Sequence, residues 1–234
     1  MINLNLFERV ERPLFYVSIL SSIIFFSLGL YFSFTSPADY QQSDFVRIMY
    51  VHVPSAWMAL GVYVFMGICS IIYIIWRNQF IDIIANQSAA IGACFAFITL
   101  VTGALWGQPV WGTWWVWDAR LTSMLILFFF YLGYIALLNA VRDELVKSDA
   151  PAILAIVGLI NIPIVKFSVD IWSTLHQPTS MFRAGGPSIH SSMLVPLLLM
   201  FCGVISFFAV VLILRIRTEI IRKKILRIRY ISSS

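Results

Sequence analysis

Six long apolar stretches dominate this chain and leave it few folds to choose from. They run over residues 14–34, 54–76, 89–106, 121–141, 152–171 and 191–214. At about 1.5 Å of helical rise per residue each reaches roughly 27–36 Å, enough to cross a hydrocarbon core of about 30 Å. With 60% hydrophobic and 12% charged residues and a mean hydropathy of +0.89, an ordinary soluble domain is excluded. The sequence predicts an all-α polytopic membrane protein: a single six-helix domain over residues 1–234, with no internal repeat, low-complexity segment or interdomain linker. The fifth stretch is the least regular. It carries Asn161, Pro163, Lys166 and Asp170, the last two near one end, where they can pair at i,i+4 or snorkel.

Basic residues resist translocation, so their distribution predicts orientation. With the N-terminus in the cytoplasm, Arg9, Arg12, Arg77, Arg142, Lys147 and seven tail residues lie inside, against Arg47, Arg120, Lys166 and Arg183 outside. Both termini are therefore expected in the cytoplasm. The net charge of +5 belongs to the tail, about 215–234, whose seven Lys/Arg face one Glu219. Interleaved Ile216, Ile220, Ile225 and Leu226 make it a candidate helix on the anionic inner leaflet, acting as a topology anchor or as a partner site. Nothing in it points to nucleic acid. The first span follows a weakly charged leader with no small-residue cleavage site and is expected to be retained. Cys69, Cys94 and Cys202 fall singly inside apolar spans; the absence of CxxCH excludes a covalently attached c-type haem on this chain.

The stretch from Trp111 to Arg120, WGTWWVWDAR, falls on the outer side in this topology. Trp111, Gly112, Trp114, Trp115, Trp117 and Asp118 are too turn-rich for a span and too apolar for a solvated loop. They read either as a stacking platform for a flat ligand or as an interfacial aromatic belt. His52, His176 and His190 fall on that same side, and the inner loops are short and ordinary. Each histidine alone reads as an interfacial residue. Together with the aromatic loop they suit an iron porphyrin held by axial nitrogens, since zinc would want more protein ligands and HExxH spacing is missing. Arg47 and Arg120 are outward cations able to neutralise propionates. Asp118 wants a partner: Arg120, the start of the fourth span as its cap, or a ligand. His176 lies in an irregular loop with Pro178, Gly185, Gly186 and Pro187 as hinges, and fits a supporting role, whereas His190 sits at the firmer start of the sixth span.

With WGTWWVWDARLTS between YVHVPSAWMA and PSIHSSMLVPLLL, and with TLHQP after the fifth span, the chain closely resembles the CcmC family of haem-handling membrane proteins of cytochrome c maturation along nearly its whole length. The resemblance implies that His52 and His190 are axial ligands of a non-covalent haem b, and that the Trp motif holds haem at the outer leaflet. It also implies delivery, not catalysis: presentation to the periplasmic chaperone CcmE, alongside the small membrane protein CcmD and an ABC-type complex of CcmA and CcmB, in the bacterial inner membrane with the site facing the periplasm. No P-loop occurs here, in keeping with ATP hydrolysis by partner subunits. Serines follow His190 where the family often has proline, a departure that touches the start of the helix more than ligation. Two other classes stand against this reading. A quinone-linked bis-histidine cytochrome usually places its histidines near mid-bilayer, and a solute transporter predicts paired midplane interruptions.

Overall fold

In the computed structural model the described residues are 4–140, 149–172, 174–176, 186 and 189–233, and they form seven helices without a strand. These are α1 Leu4–Thr35, α2 Met49–Trp76, α3 Gln79–Trp111, α4 Ala119–Ala140, α5 Ala150–Gly158, α6 Asn161–Ile171 and α7 Ser191–Ser233. A 3₁₀ turn, Asp44–Ile48, leads into α2. With α5 and α6 forming one unit, six helices are long and apolar enough to cross a membrane. Arg142, Lys147 and Arg183, and the hinge prolines and glycine at 178, 185 and 187, lie outside the described residues.

Helix ends follow capping chemistry, so the helices outrun the apolar windows. Asn78 starts α3 by accepting from the backbone N–H groups of Phe80 and Ile81. Gly112, at φ +75°, ends α3 by donating its N–H to the Gln108 carbonyl, a left-handed cap that favours glycine. The fifth span is broken, as its composition anticipates. Pro163 cannot donate to the Leu159 carbonyl and its ring crowds it, so Leu159 and Ile160 instead make i→i−3 bonds to Ile156 and Val157. Buried Asn161 braces the break by donating to the Ser123 carbonyl of α4 at 2.9 Å.

One expectation is corrected by α7. No glycine or proline follows Leu214, so the basic tail continues the sixth span as one 43-residue helix, about 64 Å long at the usual rise, and is not a separate helix on the leaflet. The tail's charges are drawn onto its neighbours: Arg217 pairs with Glu11, Lys224 with Glu8 at 3.3 Å, and Arg215 donates to the Gln87 carbonyl at 3.1 Å. The two ion pairs join the start of α1 to the tail half of α7, and the Gln87 contact ties α7 to α3.

Small residues let the helices approach. Ser18, Ser22, Gly29 and Ser33 form the buried face of α1, and a Cβ on Gly29 would meet Met200 of α7 at 2.8 Å. In the centre, Tyr131 is fully buried against Gly92 and donates to the Ala59 carbonyl at 2.7 Å, while Tyr134 donates to Asn86 at 2.6 Å. Leucine, isoleucine and phenylalanine on the outer faces stay exposed, as lipid-facing surfaces require.

Candidate functional site

The starts of α2, α4 and α7 and the ends of α3 and α6 converge at one end of the bundle, and between them lies a cavity of about 290 Å³. That is near the lower end of the range for small-molecule sites, about 300–1,000 Å³. Its lining is mainly apolar, and His52, Trp106, Trp111, Arg120, Lys166 and His176 are among its polar and aromatic groups. The structure thus brings His52, Trp111, Arg120 and His176 together. It leaves Arg47, Gly112, Trp114, Trp115, Trp117, Asp118 and His190 off the cavity wall.

Because α2 starts at Met49, His52 lies in its first helical turn and not ahead of the span. Its Nδ1 is 3.0 Å from Thr102 Oγ1 of α3, and its ring meets Trp106 edge-on at 5.7 Å. Trp106 in turn donates its indole N–H to Gln42 at 2.9 Å. Gly103 leaves room for the imidazole, since a Cβ there would stand 3.1 Å from His52 Cε1. Thr102, Gly103, Trp106 and Gln42 are absent from the sequence-based site. The signal for two of them, Thr102 and Trp106, was their four-residue spacing with Val110, hidden because hydropathy falls after 106 while α3 runs on to Trp111.

Asp118 is a cap. Its Oδ1 accepts from the Leu121 N–H at 2.8 Å and its Oδ2 lies 3.4 Å from His176 Nδ1. Of the partners the sequence offers Asp118, the start of α4 is taken and, both oxygens being engaged, the alternative pairing with Arg120 does not form; Arg120 donates instead to Ser168 Oγ at 2.9 Å and to the Lys166 carbonyl at 3.4 Å, at the C-terminal end of α6. His176 packs its ring against Trp111 at 4.8 Å. Burial pushes its pKa below the ordinary value, with Arg120 acting in the same direction and the Asp118 carboxylate opposing. The imidazole is therefore neutral at pH 7, and with Nδ1–H facing the carboxylate, Nε2 is left bare.

The tryptophan motif is divided. Trp111 belongs to α3 and lines the cavity, while the irregular segment after Gly112 carries Trp114 and Trp117 outward, 58% and 77% exposed. Trp115 packs edge-on to Trp117 at 5.4 Å, and its buried indole N–H has no hydrogen-bond partner among the described residues. Arg47 closes the end of α1: it donates to the carbonyls of Ser33 and Ser36 at 2.9 and 3.3 Å and to that of Phe34, and it pairs with Asp44 at 3.1 Å. His190 occupies the capping position of α7, its carbonyl accepting from Met193 and Leu194 at 3.0 Å; it is exposed, and the residue before it in the chain, Ile189, lines the cavity. Among the described residues no three His, Cys, Asp or Glu side chains cluster as a metal site.

Residues 2–230 match the family model described as CcmC, Heme exporter protein C. The chain belongs to the CcmC family. It is 46% identical over 214 residues to the Heme exporter protein C of Bradyrhizobium diazoefficiens, covering 92% of this chain and 81% of that protein. It is likewise 46% identical over 188 residues to that of Haemophilus influenzae, covering 80% and 76%. The corresponding Escherichia coli K12 protein is 40% identical over 203 residues, covering 86% and 82%. In this CcmC-family chain the cavity offers a bare imidazole nitrogen on His176, a histidine on a rigid helix, the indoles of Trp57, Trp106 and Trp111, and a guanidinium whose remaining N–H groups can meet a carboxylate.

Proposed function

We propose that this chain, a multi-pass inner-membrane protein, handles haem in cytochrome c maturation: it binds haem b non-covalently at the periplasmic end of its bundle and presents it for transfer to a chaperone of the CcmE type. The observation that carries this reading is the meeting of His52, Trp106, Trp111, Arg120 and His176 around one cavity, beside exposed Trp114 and Trp117. A flat, iron-bearing, dicarboxylate ligand would use each of these groups. The orientation rests on the cations: Arg9, Arg12, Arg77 and the basic tail collect at the opposite end.

In this reading His52 and His190 supply the axial nitrogens, one from the bundle and one from its rim. Trp111 takes one porphyrin face, and Gly112, Trp114, Trp115 and Trp117 form the outer edge that a soluble partner reaches. Arg120 meets a propionate; Arg47 can join only by giving up carbonyls at the end of α1. Asp118 and His176 hold the wall in place. The chain delivers haem and is not an enzyme, with ATP hydrolysis assigned to CcmA and CcmB and with CcmD as a further membrane partner.

Absorption spectra of the detergent-purified protein with haem test the binding, with a low-spin bis-histidine spectrum expected. Reconstitution with the chaperone and haem, without an ATPase subunit, should yield a chaperone–haem adduct. No adduct, together with quinone-dependent reduction of haem on this chain alone, would instead establish an electron-carrying cytochrome.

A further inference from the structure

The two histidines proposed as axial ligands are held in opposite ways. Thr102 has one hydroxyl proton, and its oxygen lies 2.6 Å from the Ile98 carbonyl one helical turn back. An oxygen that donates there can only accept from His52, 3.0 Å away. His52 therefore carries its proton on Nδ1, and Nε2 keeps its lone pair. Gly103 lets the ring lie close to α3, with Cε1 3.1 Å and Nδ1 3.6 Å from where a Cβ would stand. The side chain is thus fixed both in rotation and in proton position before any ligand arrives.

His190 has the reverse arrangement. The backbone N–H of Ser192 points at His190 Nδ1 at 3.3 Å, and Ser192 Oγ lies 2.8 Å from the same nitrogen. A nitrogen facing an amide N–H is an acceptor, so Nδ1 is bare and the proton of the neutral ring sits on Nε2. An imidazole carrying its proton on Nε2 cannot ligate through that atom. To ligate, His190 must move its proton to Nδ1 and release an N–H of the first turn of α7, one of the donors that a helix start leaves without an intrahelical partner.

We propose that His52 is the permanent ligand, with Thr102 and Gly103 as its positioning residues, and that His190 is the exchangeable ligand, whose release is drawn by re-capping of α7. This deepens the haem-binding reading and rests on it. Handover then has an order: His190 leaves first and opens one axial face of the iron at the rim, while His52 retains the cargo from within the bundle. The iron–Nε2 bond breaks with its electron pair staying on the ring, Nε2 takes a proton from solvent and Nδ1 gives one up to solvent, so the imidazole ends neutral with no net proton change.

The test uses the full-length protein in detergent with haem, read by absorption spectra and by the rate of haem loss to a soluble apo-haem-protein scavenger. His190→Ala should retain haem in a high-spin form that added imidazole converts to low-spin, whereas His52→Ala should lose haem at least tenfold faster. Thr102→Val should weaken haem binding about 10–100-fold, as loss of a partner behind a ligand usually does, and Thr102→Ser should restore it. Ser192→Pro removes the amide N–H at a position in the first helical turn where proline is tolerated, and should slow haem loss and raise the low-spin fraction. Equal haem loss from the two His→Ala variants, or wild-type spectra and affinity in Thr102→Val, would overturn the assignment. If wild-type protein takes up no haem at all, the proposed function itself fails, a result distinct from failure of this ordering.

Discussion

Replacing Asp118 separates the two tasks that its oxygens perform. Asp118→Ala removes the acceptor that meets the Leu121 N–H at 2.8 Å, a helix cap worth about 1 kcal/mol. It also strips His176, whose side chain is 19% exposed beside a 9% exposed carboxylate, of its Nδ1 partner. At 3.4 Å that bond is long, so the cost of the orphaned donor belongs near the lower edge of the usual range, about 1 kcal/mol. The sum, about 2 kcal/mol, is a factor of about 30 in the folded population. Asp118→Asn behaves differently. Asn caps as well as Asp, so stability should be nearly unchanged. Its amide nitrogen, however, donates to His176 Nδ1 and drives the ring proton onto Nε2, turning the bare nitrogen in the cavity into a donor. Thermal unfolding in detergent should therefore show a large loss for the Ala variant and almost none for the Asn variant, while spectroscopic haem titration should show weakened binding in both. Equal destabilisation by the two substitutions, or undiminished haem affinity in Asp118→Asn, would refute this division of labour.

Trp111→Ala should lower both thermal stability and haem affinity, because that ring packs on His176 and lines the cavity; Trp117→Ala, at an exposed position, should leave stability unchanged and slow transfer to the chaperone. Gly92→Ala would place a Cβ 2.3 Å from the ring of Tyr131, which is pinned by its bond to the Ala59 carbonyl; a loss of about 1–3 kcal/mol is expected in detergent unfolding. Burial holds the pKa of His176 below its ordinary 6.5, so the unfolded chain takes up this proton first: the site's full stability is present above about pH 6.5 and is lost as pH falls through the folded value. His176→Phe should flatten that part of the Tm–pH profile, and an unchanged profile would assign the dependence to other groups.

The spans were legible in the sequence because lipid demands length and apolarity, and both are local properties. Their limits were not, since helix ends depend on caps. Asn78, Gly112 and the absence of any breaker after Leu214 set α3 and α7 well beyond their apolar windows. Within the site, His52, Trp111, Arg120 and His176 could be named from the conflict between their chemistry and their surroundings. Their arrangement could not. Arg120 and Asp118 are two residues apart and of opposite charge, so the sequence leaves pairing and capping both open. Yet on a helix residues i and i+2 do not share a face, and Asp118, at the cap, is occupied by the N–H of Leu121 and by His176. Thr102, Gly103 and Gln42 escape notice because threonine, glycine and glutamine carry no distinctive signal without a known neighbour.

The polar residues of the fifth span acquire a purpose from the same geometry. A continuous helix from Ala150 to Ile171 would keep α6 in phase with α5. The i→i−3 bonds before Pro163 change that phase, and Asn161, tied to the Ser123 carbonyl, fixes where the chain resumes. Seven residues on, Ser168 therefore meets Arg120 from one side while the Lys166 carbonyl meets it from another. Arg120 is thereby held at the cavity wall by α6, and His176, just beyond the end of α6, is carried to Asp118 and Trp111. Asparagine and proline inside a membrane span are costly in isolation; here they orient the last turns of α6 so that a guanidinium from the start of α4 and an imidazole from beyond the end of α6 arrive at one cavity at the same end of that packed helix pair.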